Sequence, residues 1–147
     1  MVDYIIFTDG GARGNPGPAG AGAIIKDAFG TTLGEFLESL GHNTNNFAEY
    51  SAVLLGLKEL KKLVKKELRK KVKVEIRLDS ELVARQMNNL YSIKEETLFP
   101  LYIAVHNMLV SEFPKTTFVH IPREKNKEAD ALSNKAMDHV ERGRHLL

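Results

Sequence analysis

The chain has no cysteine and no tryptophan among its 147 residues, and aromatic residues make up only 7%. Lack of cysteine excludes disulfide scaffolds and thiolate metal sites, and it suits a reducing compartment. The five histidines, His42, His106, His120, His139 and His145, are scattered and show no H-E-x-x-H spacing, which argues against a zinc site. No apolar run approaches the ~20 residues of a membrane span, and no basic segment leads into an apolar one as in a secretory leader. The chain is therefore expected to begin at Met1, to be cytoplasmic and to have no membrane partner. An excess of one charge is missing too. With 21 basic and 19 acidic residues the net charge is +2, so the field of the whole molecule makes no case for a polyanion, and any basic patch has to be local.

What is present is ordinary material for one core: 43% hydrophobic residues in a length that suits one domain, with no repeat, linker or low-complexity stretch. Residues 1–140 are expected to form that domain and 141–147 a tail without clear pattern. Tyr4 to Phe7 reads as a buried strand that ends at Asp9, where Gly10 and Gly11 break the pattern. Ala21–Asp27 and Thr32–Leu40 complete an antiparallel meander. Apolar residues recur at helical spacing from Phe47 into a basic tract, Lys61 to Lys71. Strict alternation from Val72 to Leu78 is the clearest strand signal. Helices are expected from Ser80 to about Leu90 and from Lys94 to Glu112, then a strand over Thr116–Ile121 and a closing helix over Asn126–Val140. The fold class is therefore α/β, with a five-stranded mixed sheet, three antiparallel strands then two parallel, flanked by helices. A right-handed crossover sets Val72–Leu78 parallel to the first strand and brings Asp9 and Asp79 to one sheet edge, the edge where ligands bind in open α/β sheets.

Two more acids start helices, Glu49 and Asp130. Each of the four has a plain structural reading. Asp9 suits a turn, Asn46-x-x-Glu49 suits a capping box, Asp79 or Ser80 suits a helix cap, and Asp130 complements a helix dipole. Four acids at one edge, however, repel one another and raise one another's pKa unless a cation joins them. A divalent ion with oxygen ligands, such as magnesium, answers that repulsion.

Four segments carry a family pattern: TDGGARGNPGPAGAG at 8–22, TNNFAEYSA at 44–52, LDS at 78–80 and REKNKEADALS at 123–133. In this order, across nearly the whole length, the sequence resembles the type 1 ribonuclease H family. The resemblance implies the ribonuclease H-like fold, a metal-binding tetrad of Asp9, Glu49, Asp79 and Asp130, and hydrolysis of the RNA strand of an RNA/DNA hybrid with two Mg2+ or Mn2+ ions. It implies Asp9 as bridging ligand, Glu49 and Asp79 on one ion and Asp130 on the other, with 5′-phosphate and 3′-hydroxyl products. A family loop group, often histidine, assists the catalytic water or product release. Here the loop is Pro122 to Lys125, without histidine, and Arg123 is the favoured substitute, ahead of Glu124.

A hybrid is recognised through groove shape, phosphates and 2′-hydroxyls. The glycine turn, Gly10 and Gly11 included, offers backbone amides that approach sugars closely. By resemblance Asn15, Asn45 and Asn46 match hybrid contacts, Thr44 a DNA-strand phosphate contact, and Ser80, with Glu81, RNA-strand contacts. Their plain readings are a surface loop and helix caps. The tract Lys61 to Lys73 is read either as a nucleic-acid patch or as cations that suit a helix C-terminus and a solvated face. Many family members carry a basic, Trp-containing protrusion that Asn88–Thr97 lacks, so modest, salt-dependent affinity is expected. Two other readings stay open: the same chemistry acting also on double-stranded RNA, and a hybrid-binding module without catalysis. No obligate protein partner is evident, and a monomer is expected.

Overall fold

The computed structural model describes residues 1–145. Five strands form one sheet: β1 (Tyr4–Ala12), β2 (Gly17–Asp27), β3 (Thr32–Asn43), β4 (Val74–Leu78) and β5 (Thr116–His120), in spatial order β3-β2-β1-β4-β5. The first three are antiparallel, while β1 with β4 and β4 with β5 are parallel. Four α-helices join them: α1 (Asn45–Leu63), α2 (Glu81–Met87), α3 (Phe99–Ser111) and α4 (Lys127–His145). Short 3₁₀ turns occupy Lys66–Leu68, Glu96–Leu98 and Arg123–Lys125.

The sheet is covered on both faces where it is thickest. Ile6, Val74, Ile76 and Leu78 pack with Tyr50, Val53, Leu57 and Leu60 of α1, and with Val83, Val105 and Phe113, into the main core. The amphipathic α4 crosses the other face. Strand β2 lies between α1 and α4, which is why it is a nearly continuous run of buried glycine, alanine and isoleucine rather than an alternating one. Two glycines set the spacing. A Cβ at Gly10 would overlap the Ala48 carbonyl of α1, and one at Gly22 would sit 2.6 Å from the Ala129 oxygen of α4.

Several element boundaries differ from the sequence-based expectation. Strand β1 does not end at Asp9 but continues to Ala12, because the antiparallel ladder to β2 holds that far, as Asp9 opposite Gly22 and Ala12 opposite Ala19. The parallel ladder to β4 does stop, at Thr8 opposite Leu78. The cap of α1 is Thr44, whose Oγ1 accepts from the Phe47 N–H at 3.2 Å, so Asn46 and Glu49 form no capping box. Strand β4 starts at Val74 rather than Val72, since residues 66–72 close turns on themselves. Helix α1 ends at Leu63, within the basic tract where it is expected to run out, and α2 ends at Met87, short of the expected Leu90; Pro100 places the start of α3 at Phe99. Helix α4 continues past Val140 to His145, and Arg13 pairs with Asp138 at 2.6 Å and Glu141 at 3.1 Å. Leu146 and Leu147 of the expected tail lie outside the described residues.

Candidate metal centre and nucleic-acid cleft

Asp9 stands where β1 outruns β4, so one side of its strand is open at the edge of the sheet. Asp79 is the first residue beyond β4 and so lands on the same edge. Glu49, in the second turn of α1, reaches it because Gly10 lets the helix backbone lie directly against β1. One carboxylate oxygen from each of Asp9, Glu49 and Asp79 lies within 4.8 Å of the others. Asp130, in the first turn of α4, is exposed, and its carboxylate also raises the Asp9 pKa.

Two side chains orient these acids. Ser133, one helical turn beyond Asp130, lies against Asp9 with its Oγ 2.8 Å from Oδ2, and the same hydroxyl is 2.9 Å from the Asp130 carbonyl. Asn126 is buried, and its Nδ2 donates to Asp79 Oδ2 at 2.9 Å and to the Thr8 carbonyl at 2.8 Å. It therefore ties the end of β4 to β1 just before Asp9. Neither residue was singled out from the sequence, although both lie in the 123–133 segment. Ser133 had a legible signal, since a residue three beyond Asp130 on a helix shares its face. Asn126 had none, because its partners come from β1 and β4.

Burial, followed by the charge of Asp79, raises the Asp9 pKa to about 7 against the pull of the Ser133 hydrogen bond. Burial raises Glu49 well above the usual carboxylate range, helped by the charges of Asp9 and Asp79, and opposed by a Gly10 backbone hydrogen bond and the Arg123 charge. Among the described residues, Glu49 Oε2 is buried without a hydrogen-bond partner. Orphaned carboxylate oxygen beside two more acids is the donor set a hard divalent cation takes. The residues fit a metal centre.

Above the acids is an open cleft of about 450 Å³, lined by Gly10, Gly11, Arg13, Asn45, Asn46, Ser80, Arg123, Asn134 and Met137 besides the four carboxylates and Ser133. Most sequence-derived candidates thus come together there. Asn15 and Thr44 do not line it; they hold the entry to α1, Thr44 as cap and Asn15 through its Oδ1, which accepts from the Asn45 N–H at 3.0 Å. The missing Cβ atoms of Gly10 and Gly17 make room for the chain's own backbone at Ala48 and Arg13. Arg123 is at the rim, exposed, in a 3₁₀ turn. His120 is in β5 and does not line the cleft.

A mixed five-stranded sheet with this order, whose central strands deliver acids to one cleft, defines the class: ribonuclease H-like, with a site suited to metal-assisted work on phosphodiesters. Residues 7–136 match the family model described as reverse transcriptase-like. The crystal structure of LC11-RNase H1 in complex with RNA/DNA hybrid superposes with a TM-score of 0.89 and 46% identity, covering 93% of this chain and 98% of that one. Ribonuclease H of Hydrogenovibrio crunogenus is 31% identical over 145 residues, which is 99% of its length. A bifunctional protein of Mycobacterium tuberculosis is 39% identical over 138 residues, and the chain spans only 36% of that relative's length. The chain belongs to the ribonuclease H family, type 1. No helix among the described residues is long and apolar enough to cross a membrane.

Proposed function

We propose that the chain is a metal-dependent endoribonuclease that hydrolyses the RNA strand of RNA/DNA hybrids, using two magnesium or manganese ions held by Asp9, Glu49, Asp79 and Asp130, and leaves 5′-phosphate and 3′-hydroxyl ends. The observation that carries this reading is the meeting of Asp9, Glu49 and Asp79 within 4.8 Å on the floor of an open cleft of about 450 Å³. When bound, the metal supplies charge neutralisation at phosphorus and an activated water.

The rest is work for the chain's own side chains. Ser133 and Asn126 each engage one oxygen of Asp9 and Asp79 and leave the second oxygen for a cation. Asn45 Oδ1 is occupied by the Ala12 N–H at 2.8 Å, which leaves its NH₂ group to donate. Asn46 Nδ2 is occupied by Glu95 Oε1 at 2.7 Å, which leaves its carbonyl oxygen to accept. Adjacent donor and acceptor suit a 2′-hydroxyl, which is both, and deoxyribose offers neither. Gly10, Gly11 and Ser80 border the RNA path, while Asn15 and Thr44 fix the α1 entry that presents Asn45 and Asn46. Arg123 assists at the rim, where its charge already reaches Glu49. The enzyme acts as a cytoplasmic monomer without an obligate partner.

The test is a gel assay of end-labelled hybrid, double-stranded RNA and double-stranded DNA with magnesium, manganese or EDTA. Cleavage of the hybrid's RNA strand that EDTA abolishes is the expected result. Cleavage of double-stranded RNA as well widens the substrate class, and an intact hybrid in both metals sinks the enzyme reading.

A further inference from the structure

The cleft leaves one strongly charged surface unused. Eight of the 21 basic residues, but only Glu67 of the 19 acidic ones, fall between Lys61 and Lys73; the remaining 13 basic residues face 18 acids, so the rest of the chain is net negative. The tract follows the C-terminus of α1 and precedes β4, whereas Glu49 is near the N-terminus of α1 and Asp79 follows β4. The positive charge therefore gathers at the pole opposite the carboxylates, about 20 Å away at 1.5 Å per helical residue from Glu49 to Leu63.

The surface is held in shape. Arg69 donates to the Val64 and Lys61 carbonyls, each at 3.0 Å, and pairs with Glu112 at 3.3 Å, which closes the end of α1. Lys61 and Lys62 pair with Glu112 and Glu59. Lys65, Lys66, Lys70 and Lys71 are exposed and have no ion-pair partner among the described residues, and the exposed Lys115 accepts through its carbonyl from the Val74 N–H, next to Lys73. Lys66, Lys70 and Lys71 rim an open concavity of about 590 Å³ that Glu67, Ser111 and Glu112 also line.

We propose that this lysine pole binds a second segment of nucleic acid, without sequence preference, remote from the cleft. Unpaired lysines on a fixed turn match phosphates, and each contact releases a condensed counterion. The pole lacks the Trp and Tyr anchors of protein interfaces, where lysine is depleted. A straight duplex lying in the cleft does not wrap to the opposite pole, so the two sites engage separate segments of one long polynucleotide or two molecules.

The test is binding of a long double-stranded DNA to the full chain across a salt series in EDTA, where metal-free carboxylates repel phosphate and the lysine pole is isolated. This readout is independent of whether the chain cleaves hybrids. With Lys65, Lys66, Lys70 and Lys71 all changed to Gln, the slope of log affinity against log salt is expected to fall by about 3–4, at roughly 0.9 per lost phosphate contact, and affinity at low salt to fall at least tenfold. The corresponding Glu variant is expected to abolish binding; circular dichroism of both confirms the fold. An unchanged slope in the folded Gln variant overturns the proposal. So does stronger capture by phosphatidylserine vesicles or polyglutamate than by DNA at equal charge, which assigns the pole to a membrane or an acidic protein.

Discussion

Asp9 and its neighbours determine how the molecule responds to pH. The Asp9 carboxyl titrates near 7 in the folded, metal-free chain and near 3.8 when unfolded. Between those values the folded state binds more protons, so the stability that this carboxyl contributes is full below about pH 4 and is lost as pH rises to about 7. Asp9→Asn removes this penalty. The variant is expected to melt higher than the parent at pH 8 in EDTA, to lose the stabilisation that magnesium gives the parent, and to lose cleavage by at least about 10³-fold; differential scanning fluorimetry and the gel assay check these together. Asn126→Ala leaves Thr8 and Asp79 without their donor inside the molecule. It should cost about 1–3 kcal/mol in urea melts and weaken metal binding about 10–100-fold by calorimetry. An unaltered metal affinity would make Asn126 a purely structural residue.

At the scale of elements, close approach is the device that builds the site. Gly10→Ala drives a methyl into the α1 backbone at Ala48, so it is expected to cost more than about 3 kcal/mol and to displace Glu49. Thr44→Ala, by contrast, removes only a cap and should cost about 1 kcal/mol in the same melts. The elements themselves were legible: the alternation in Val74–Leu78, the helical spacing after Phe47 and the order of strands and helices all hold. Their junctions were not. Asp9 lies within β1 because its partner strand, which pairs Gly22 with Asp9, keeps pairing to Ala19, and no local pattern encodes that. Thr44 rather than Asn46 caps α1, because the helix already includes Asn45 and Asn46, and the Asn46 amide instead meets Glu95, 49 positions on. The acids were legible as a set, since glycine breaks and family segments mark them, but the side chains that aim them act across long stretches of chain.

For the molecule as a whole, charge and closure matter most. The cleft holds the acids and the far pole holds the lysines, so affinity for a hybrid confined to the cleft should depend on magnesium more than on salt, and a long hybrid should add the salt dependence of the lysine pole. Comparing salt slopes for a short and a long hybrid, with Asp9→Asn to prevent cleavage and magnesium present, checks this; equal slopes refute it. The hydrogen bond from Ser133 to Asp9 spans 124 positions and that from Arg13 to Asp138 spans 125. The first strand thus waits for the last helix. During synthesis Asp9, Glu49 and Asp79 leave the ribosome well before Asn126, Asp130 and Ser133, so three of the four acids are made long before the side chains that aim them.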